Sequence, residues 1–241
     1  MLRDLKTLWV MVRGARGSGS HGERMEKLYR EQARDYDQFR ERSLHGRKDL
    51  LDLLDLPPGA RVVEMGGGTG WNVEHFGERL RTFDRVTIVD LCGPLIEIAK
   101  ERCSRHRWTN VGVAQADATV WRPEDGRPVD AVYFSYSLTM IPDWFRAVDN
   151  AIAILRPGGL LGVVDFYVSR KHPAEGFRRH RALARAFWRW WFGHNDVFPS
   201  PDHIPYLEWK LRRRHLSERF GKVPYLPFLR APHYIYVGEK P

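Results

Sequence analysis

The chain has 241 residues, 43% of them hydrophobic and 29% charged, which is the composition of a folded globular protein and excludes a disordered chain. The length suits one α/β domain with additions, and no apolar run approaches the roughly 20 residues that cross a bilayer, so we expect neither a membrane-spanning helix nor a signal peptide. The net charge of +9 favours an anionic partner, either nucleic acid or an anionic membrane surface.

Three segments precede the predicted core. Residues 1–13 carry apolar side chains at helical spacing among basic residues, which predicts a short basic amphipathic helix. Residues 14–20 are rich in glycine and serine and predict a flexible linker. Residues 21–56 are predicted to form a helical cap that includes a helix from about Arg47 to Leu54.

Residues 57–241 are predicted to form the core, with an insertion at about 170–222. Strands are predicted at residues 61–65, 86–89, 111–114, 131–134 and 160–166, and the helices between them at residues 71–82, 93–106 and 144–155. This alternation implies βαβ units and a doubly wound parallel sheet. A basic, tryptophan-rich helix over residues 174–192, a helix near 205–218 and a last strand at 234–237 complete the pattern.

Cys92 and Cys103 are the two cysteines, too few for a disulfide framework. Both fall in the stretch around the predicted helix at residues 93–106. We therefore expect reduced thiols and a cytoplasmic location.

A glycine-rich turn, Gly66–Gly70, follows the first predicted strand and opens a helix. Glycine lets the backbone turn sharply and approach a ligand closely, but this pattern alone fits an ordinary turn or a dinucleotide site equally well. Asp90 ends the second strand about 20 residues after the last glycine, where a carboxylate accepts hydrogen bonds from both ribose hydroxyls of a nucleoside. The same residue would also suit a cap for the next helix.

The residues around this turn separate two classes of nucleoside. Glu64 would repel a pyrophosphate but suits the cationic amino-acid tail of S-adenosylmethionine. Asp117-Ala118 resembles the methyltransferase pair that reads the adenine amino group, and the turn at residues 156–159 resembles one typical of these enzymes. The pattern favours an S-adenosylmethionine-dependent methyltransferase over a dinucleotide enzyme or an inactive relative.

Tyr36 and Arg47 resemble the lid segment of many such methyltransferases, where the tyrosine covers the methionine moiety and the arginine pairs with its carboxylate. The alternative is that Tyr36 packs in a helix interface and Arg47 is solvated. The complete set of predicted cofactor contacts is Tyr36, Arg47, Glu64, Gly66, Gly68, Thr69, Asn72, Asp90, Leu91, Asp117, Ala118 and Ser135.

The segment after the fourth strand argues against a nucleic-acid substrate. Residues 134–142 lack the Asn/Asp-Pro-Pro-aromatic tetrad of DNA methyltransferases that act on exocyclic amines, and neither cysteine suits a pyrimidine C5 nucleophile. We also expect no metal site, because the histidines lack ligand-like spacing. Methyl transfer from a sulfonium depends mainly on proximity and orientation rather than on a dedicated nucleophile.

Several segments between about residues 25 and 238 resemble the N-methyltransferases of betaine-lipid synthesis. The segments are Val63–Asn72, Val89–Cys92, Phe134–Pro142, Val164–Ser169, Phe187–Arg189, Tyr206–Glu208 and Leu229–Tyr234. The resemblance implies a Rossmann-like class I methyltransferase sheet with an N-terminal helical cap and a helical insertion before the last strands. It also implies that the amine of diacylglyceryl-homoserine is methylated three times, and that a separate aminocarboxypropyl transferase supplies this lipid.

Candidate acceptor residues follow from the same segments. His233 is the candidate to take a proton from the ammonium substrate, and Tyr136 is the second catalytic candidate. Aromatic faces hold methylated ammonium groups and an arginine holds the substrate carboxylate, so the predicted substrate contacts are Tyr29, Tyr167, Arg230 and Tyr234, with Arg170 as an alternative to Arg230.

A diacyl substrate would keep the enzyme at the inner face of an anionic membrane, held there by residues 1–13 and 174–192. Two alternatives remain open. One is a methyltransferase that acts on RNA or a small soluble amine, and the other is a basic membrane-binding relative without catalysis.

Overall fold

A computed structural model describes residues 43–194, 196–224 and 226–241. The predicted amphipathic helix at residues 1–13, the linker, and the candidate residues Tyr29 and Tyr36 lie outside the described part of the chain. Among the residues described, no helix is both long enough and apolar enough to cross a membrane.

The strands are β1 (Arg61–Met65), β2 (Arg85–Asp90), β3 (Val111–Gln115), β4 (Val129–Ser135), β5 (Leu155–Phe166), β6 (Arg212–Val223) and β7 (Leu226–Glu239). The α-helices are α1 (Arg47–Leu53), α2 (Gly93–His106), α3 (Trp144–Ile154), α4 (Ala182–Gly193) and α5 (His203–Lys210). Two 3₁₀ segments, Trp71–Thr82 and Leu138–Met140, follow β1 and β4.

All seven strands form one sheet in the order β3-β2-β1-β4-β5-β7-β6. The first five of these run parallel, and β7 and β6 continue the sheet antiparallel. The predicted doubly wound α/β fold is therefore confirmed. The strand order reverses between β1 and β4, which is the point where open α/β sheets bind ligands beyond the carboxyl ends of their strands.

The sheet is covered on both faces. One face packs on α1, α2 and the long 3₁₀ segment through residues such as Leu51, Phe76 and Ala99. The other face packs on α3 and α5 through residues such as Val148 and Leu207. Cys92 and Cys103 are buried free thiols.

Several predicted elements differ from the structure. The helix expected at residues 71–82 is a 3₁₀ segment interrupted at Gly77, whose φ is 56° and ψ is −134°. The basic helix expected over residues 174–192 is shorter and begins at Ala182, where α4 starts. It buries Trp188 and Phe192 and leaves Leu183 86% and Trp190 61% exposed.

The helix predicted near residues 205–218 is wrong in its second half. Helix α5 ends at Lys210, and residues 212–223 form β6, an edge strand of the main sheet within the segment predicted as an insertion. Its partner β7 spans Leu226–Glu239 and is far longer than the predicted strand at 234–237. Charged side chains on an edge strand resist pairing with other chains. The same charged composition is also typical of a solvent-exposed helix, which is why the sequence predicted one here.

Candidate cofactor and acceptor site

The glycine turn after β1 is closed by contacts that only glycine permits. Gly66 has a φ of 69°, and a Cβ atom there would lie 2.5 Å from the Cβ of Ser137 in the loop after β4. A Cβ at Gly67 would lie 2.7 Å from Ile88 Cγ2 in β2. The loop therefore presents bare backbone at the switch point of the sheet, as a nucleoside site requires.

Asp90 ties this loop to the entrance of α2. Its Oδ2 accepts a hydrogen bond from the Gly68 amide at 2.8 Å, and its Oδ1 accepts one from the Cys92 amide at 2.8 Å. A carboxylate oxygen has two lone pairs, so Asp90 retains the capacity to accept hydrogen bonds from ribose hydroxyls. Its ribose contact stays a prediction, while its contact with the turn into α2 is visible.

A buried polar chain lies beside the loop. Arg47 Nη1 donates to Asn72 Oδ1 at 3.2 Å, and Asn72 Nδ2 donates to Glu64 Oε1 at 2.5 Å. Burial raises the pKa of Glu64 to about 7, although the Asn72 hydrogen bond and the Arg47 charge act in the opposite direction. An ammonium group brought to Glu64 would favour its ionised form, which suits the predicted contact with a cationic amino-acid tail.

The other predicted cofactor residues follow the carboxyl ends of neighbouring strands. Leu91 is 58% exposed after β2, and Ala118 is buried after β3. Asp117 Oδ1 accepts a hydrogen bond from the Thr119 amide at 2.8 Å, which shapes the turn there. Thr69 and Ser135 are buried, and Ser135 Oγ has no hydrogen-bond partner among the described residues. The structure thus brings the described members of the set to one edge of the sheet.

Tyr136 stands out at the end of β4. It is a bulky residue with a φ of 56°, a strained conformation that proteins retain chiefly where function or packing demands it. Its hydroxyl donates to the His45 carbonyl at 2.7 Å, and its ring packs edge-on against Phe166 at 4.7 Å. The ring of His45 stacks on His233 at 5.9 Å. Both predicted catalytic residues therefore belong to one cluster.

His45 is a member of this cluster that sequence reasoning missed. Its Nε2 lies 2.9 Å from the Lys222 carbonyl of β6, a contact across 177 residues. Gly221 makes room for the imidazole ring, because a Cβ there would collide with it. No local spacing signals this contact, although a glycine inside a strand often marks the close approach of another group.

His233 is 3% exposed, and burial lowers the pKa of its imidazole to about 4. The ring is consequently neutral at neutral pH and able to accept a proton. Its low basicity makes it a weak acceptor for a proton from an ammonium group. Its role as a base stays a prediction.

Asp165 is a second residue that the sequence analysis left without a role. It is fully buried at the end of β5, and its carboxylate accepts hydrogen bonds from Thr139 Oγ1 at 2.8 Å and the Thr139 amide at 3.1 Å. Burial raises its pKa to about 7. A carboxylate within the apolar run of residues 161–166 is the signal that would have singled it out.

The predicted substrate residues separate into two groups. Tyr167 and Tyr234 meet with ring centroids 5.6 Å apart, and Tyr167 donates its hydroxyl hydrogen to Glu218 Oε1 at 2.7 Å. Tyr234 is fully buried and packs against Tyr167. Arg230 is exposed four residues earlier on β7, opposite Lys222 of β6. Their contacts with a substrate stay predictions.

The doubly wound sheet, the bare glycine loop and the carboxylate at the end of β2 define a nucleoside-binding α/β protein. A family described as a methyltransferase domain matches residues 31–218. The chain belongs to this methyltransferase-domain family. Family and fold together confirm the predicted cofactor, S-adenosylmethionine, and the residues around the loop fit it through the Glu64 carboxylate and the glycine backbone.

Individual relatives are more distant. A trans-aconitate 2-methyltransferase of Variovorax paradoxus is 29% identical over 161 residues, which cover 67% of this chain and 59% of that relative. A demethylmenaquinone methyltransferase of Tropheryma whipplei is 25% identical over 165 residues, or 66% of each chain. The chain thus spans less than two thirds of the length of the trans-aconitate relative.

Among solved structures, the N-methyltransferase NodS of Bradyrhizobium japonicum in complex with S-adenosyl-L-homocysteine superimposes with a TM-score of 0.65. It is 20% identical, and the match covers 90% of this chain and 97% of that chain. Similarity at this level of identity supports the shared fold.

Proposed function

We propose that this protein is an S-adenosylmethionine-dependent N-methyltransferase whose acceptor is the amine of a membrane-lipid headgroup, the homoserine amine of diacylglyceryl-homoserine. Bound S-adenosylmethionine supplies a methyl group that is already activated by its sulfonium. The protein then has to hold a neutral amine in line with that group and to exclude water. This requirement agrees with a site that contains oriented polar groups and aromatic rings.

The observation that carries the proposal is the convergence of the most specific segments of resemblance. Residues 134–142 leave β4, residues 164–169 leave β5, and residues 229–234 belong to β7. They meet through the contact of Tyr136 with Phe166 and that of Tyr167 with Tyr234. Segments far apart in sequence thus pack together at the carboxyl end of β5, with one pair of rings in the core on each face of the sheet. Ser137, in the first of these segments, also contacts the cofactor loop at Gly66.

Five of the described cofactor residues have a distinct task in this proposal. Glu64 and Arg47 hold the amino and carboxylate groups of the methionine tail, and Asp90 holds the ribose hydroxyls. Asp117 receives the adenine amino group. Gly66 has no side chain, which allows the loop to pack against Ser137 and keep its turn.

Association with an anionic membrane is part of the proposal. Helix α4 exposes Leu183 and Trp190 one above the other, seven residues apart, and exposed arginines flank this stripe at positions 179, 181 and 189. Aromatic and basic side chains together suit the interface of an anionic bilayer. A diacyl lipid leaves a bilayer reluctantly, since each exposed CH₂ costs about 0.8 kcal/mol, so the enzyme has to come to the headgroup.

The test supplies labelled S-adenosylmethionine and four acceptors in separate reactions: vesicles with diacylglyceryl-homoserine, vesicles with phosphatidylethanolamine, tRNA, and free homoserine. We expect label in the homoserine lipid, with the trimethylated lipid as the final product. Labelled tRNA or free homoserine with an unlabelled lipid would overturn the proposal. The variant Asp90→Asn serves as the control for transfer that does not use the cofactor site.

A further inference from the structure

A cavity of about 230 Å³ lies beyond the carboxyl end of β5, on the face of the sheet that α5 covers. Apolar groups form much of its wall, among them Pro173, Phe177, Pro201 and Ile204. Sites for drug-sized ligands occupy about 300–1,000 Å³, so this cavity suits a small headgroup and not a pair of acyl chains.

Two carboxylates from different elements reach this cavity. Glu218 of β6 accepts hydrogen bonds from the Tyr167 hydroxyl at 2.7 Å and from the Arg178 amide at 2.8 Å, and these contacts fix its position. Glu208 of α5 lies 3.6 Å from Arg213 through Oε2, and its Oε1 is buried, with the Tyr236 hydroxyl close to the same carboxylate.

Two arginines also line the cavity. Arg170 Nε donates a hydrogen bond to Asp202 Oδ1 at 2.7 Å, so the other N–H donors of its guanidinium remain available for a ligand. Arg178 lies over the ring of Phe220, with its guanidinium carbon 5.0 Å from the ring centroid. The cavity therefore combines carboxylates, guanidinium groups and apolar walls in a small volume.

We propose that this cavity binds the amino-carboxylate end of the methyl acceptor, with Glu208 and Glu218 facing its ammonium group and Arg170 and Arg178 facing its carboxylate. The inference rests on the proposed function, because it takes the acceptor to be a lipid whose headgroup carries both charges. Tyr167 and Phe177 supply aromatic surface for the alkyl groups around the nitrogen as methyl groups accumulate.

The position of the cavity agrees with this assignment. Tyr167 directly follows β5, which is two strands from β1 in the sheet. Neighbouring strands are about 4.8 Å apart, so the end of β5 lies about 10 Å from the glycine loop along the same edge. Glu218 of β6 lies two strands further out. Phe166, next to Tyr167, contacts Tyr136 of the cluster described above.

The experiment measures binding to the full chain saturated with S-adenosylhomocysteine, by calorimetry. The first ligand is glyceryl-homoserine ether, which is the headgroup without acyl chains. The second is its methyl ester, which lacks the carboxylate charge, and the third is its N-acetyl derivative, which lacks the ammonium charge. We expect the first to bind about tenfold more tightly than either of the others, the loss associated with one charged contact.

Variants assign the two charges to their partners. Glu208→Gln and Glu218→Gln are expected to weaken binding of the parent ligand and of the ester about tenfold. They should leave the affinity for the N-acetyl ligand unchanged. Arg170→Ala is expected to weaken binding of the parent ligand and to leave the affinity for the ester unchanged. Glu175→Gln and Lys171→Ala, which are exposed nearby, serve as matched controls. Glu208→Gln leaves the contacts of Glu218 with Tyr167 and Arg178 in place, so it keeps the test valid if Glu218→Gln fails to fold.

The outcomes separate the cavity from the reaction. If vesicles containing the homoserine lipid are methylated and none of the three cavity variants changes affinity, the cavity assignment is overturned and the proposed function stands. If the ligand binds with the expected pattern and the vesicles are not methylated, the assignment of charges is supported and the proposed function fails.

Discussion

The carboxyl edge of the sheet consists of two regions that are built differently. Around β1, β2 and β3, the site combines a bare backbone turn with polar side chains, with the Gly66 turn packed against Ser137 and the Gly68 amide bound to Asp90. Around β5, β6 and β7, it is formed by side chains from distant elements, such as Tyr167 with Glu218 and His45 with His233.

This difference has a chemical reason. A backbone surface presents the same donors and acceptors whatever residues surround it, so it suits a ligand that never changes, such as the cofactor. A surface of side chains changes with every substitution and suits the acceptor. The predictions below test whether the two regions fail independently, beginning with the largest expected effect.

Asp90→Ala should have the largest effect, confined to the cofactor region. It removes the acceptor for ribose and leaves the Gly68 and Cys92 amides without their carboxylate partner. We expect calorimetry to show affinity for S-adenosylhomocysteine at least about 100-fold weaker, equivalent to about 3 kcal/mol. Asp52→Ala removes an exposed carboxylate paired with Lys48 and should bind normally. Unchanged affinity in folded Asp90→Ala protein would contradict the site assignment.

Glu64→Gln should change how stability depends on pH. The folded-state pKa of about 7 lies above the usual value of 4.5, so the wild-type protein loses up to about 3 kcal/mol from this group as pH rises from 4.5 to 7. Glutamine can still accept the Asn72 hydrogen bond and removes this loss. Denaturant unfolding without cofactor should show the variant gaining stability relative to wild type across that pH range.

The buried carboxylate of the other region provides a comparison. Asp165 also has a raised pKa of about 7, so Asp165→Asn should remove a separate loss over pH 4 to 7. Saturation with S-adenosylhomocysteine should reduce the pH dependence of stability that Glu64 causes. It should leave the part that Asp165 causes unchanged. The exposed control Glu78→Gln should follow the wild type at every pH, and equal responses of Glu64 and Asp165 to the ligand would show that the regions are not independent.

Gly66→Ala and Gly59→Ala form a matched pair for the close approach in the loop. Both glycines have positive φ, so alanine costs about 1–2 kcal/mol at either position. A Cβ at Gly59 meets no described atom within 4 Å, whereas at Gly66 it meets Ser137 at 2.5 Å. Unfolding measurements should show a further loss of about 2 kcal/mol for Gly66→Ala. Equal losses would mean that Ser137 moves away from the new Cβ atom without lowering the free energy of unfolding.

Trp190→Ser should have the smallest effect and should act only on membrane association. Its exposed ring on α4 lies beside exposed arginines, each of which contributes about 1 kcal/mol near anionic lipid. Co-sedimentation with anionic vesicles should fall for Trp190→Ser, and high salt should weaken the wild type. Trp209→Ser on α5 removes a ring that is 73% exposed and is the matched control. Equal losses for the two variants would contradict docking through α4.

The sequence by itself determined the cofactor region because its signals are local. Glycines that follow an apolar strand, and an aspartate at the end of the next one, are recognisable over about 25 residues, and the predicted helix at residues 93–106 coincides with α2. The turn predicted at residues 156–159 lies instead within β5, which begins at Leu155, at a register shift between the pairs Val129–Leu155 and Ala131–Leu160.

Only the tertiary structure decided the acceptor region. The register of β6 with β7 places Glu218 opposite Tyr234, and the packing of β5 brings Tyr167 to the same carboxylate. His45 reaches the carbonyl of Lys222 across 177 residues. Such contacts depend on which strands pair and in which register, and local spacing carries no information about either. For the same reason, the charged sequence of β6 resembles that of a helix, and only its long-range hydrogen bonds to β7 show that it is a strand.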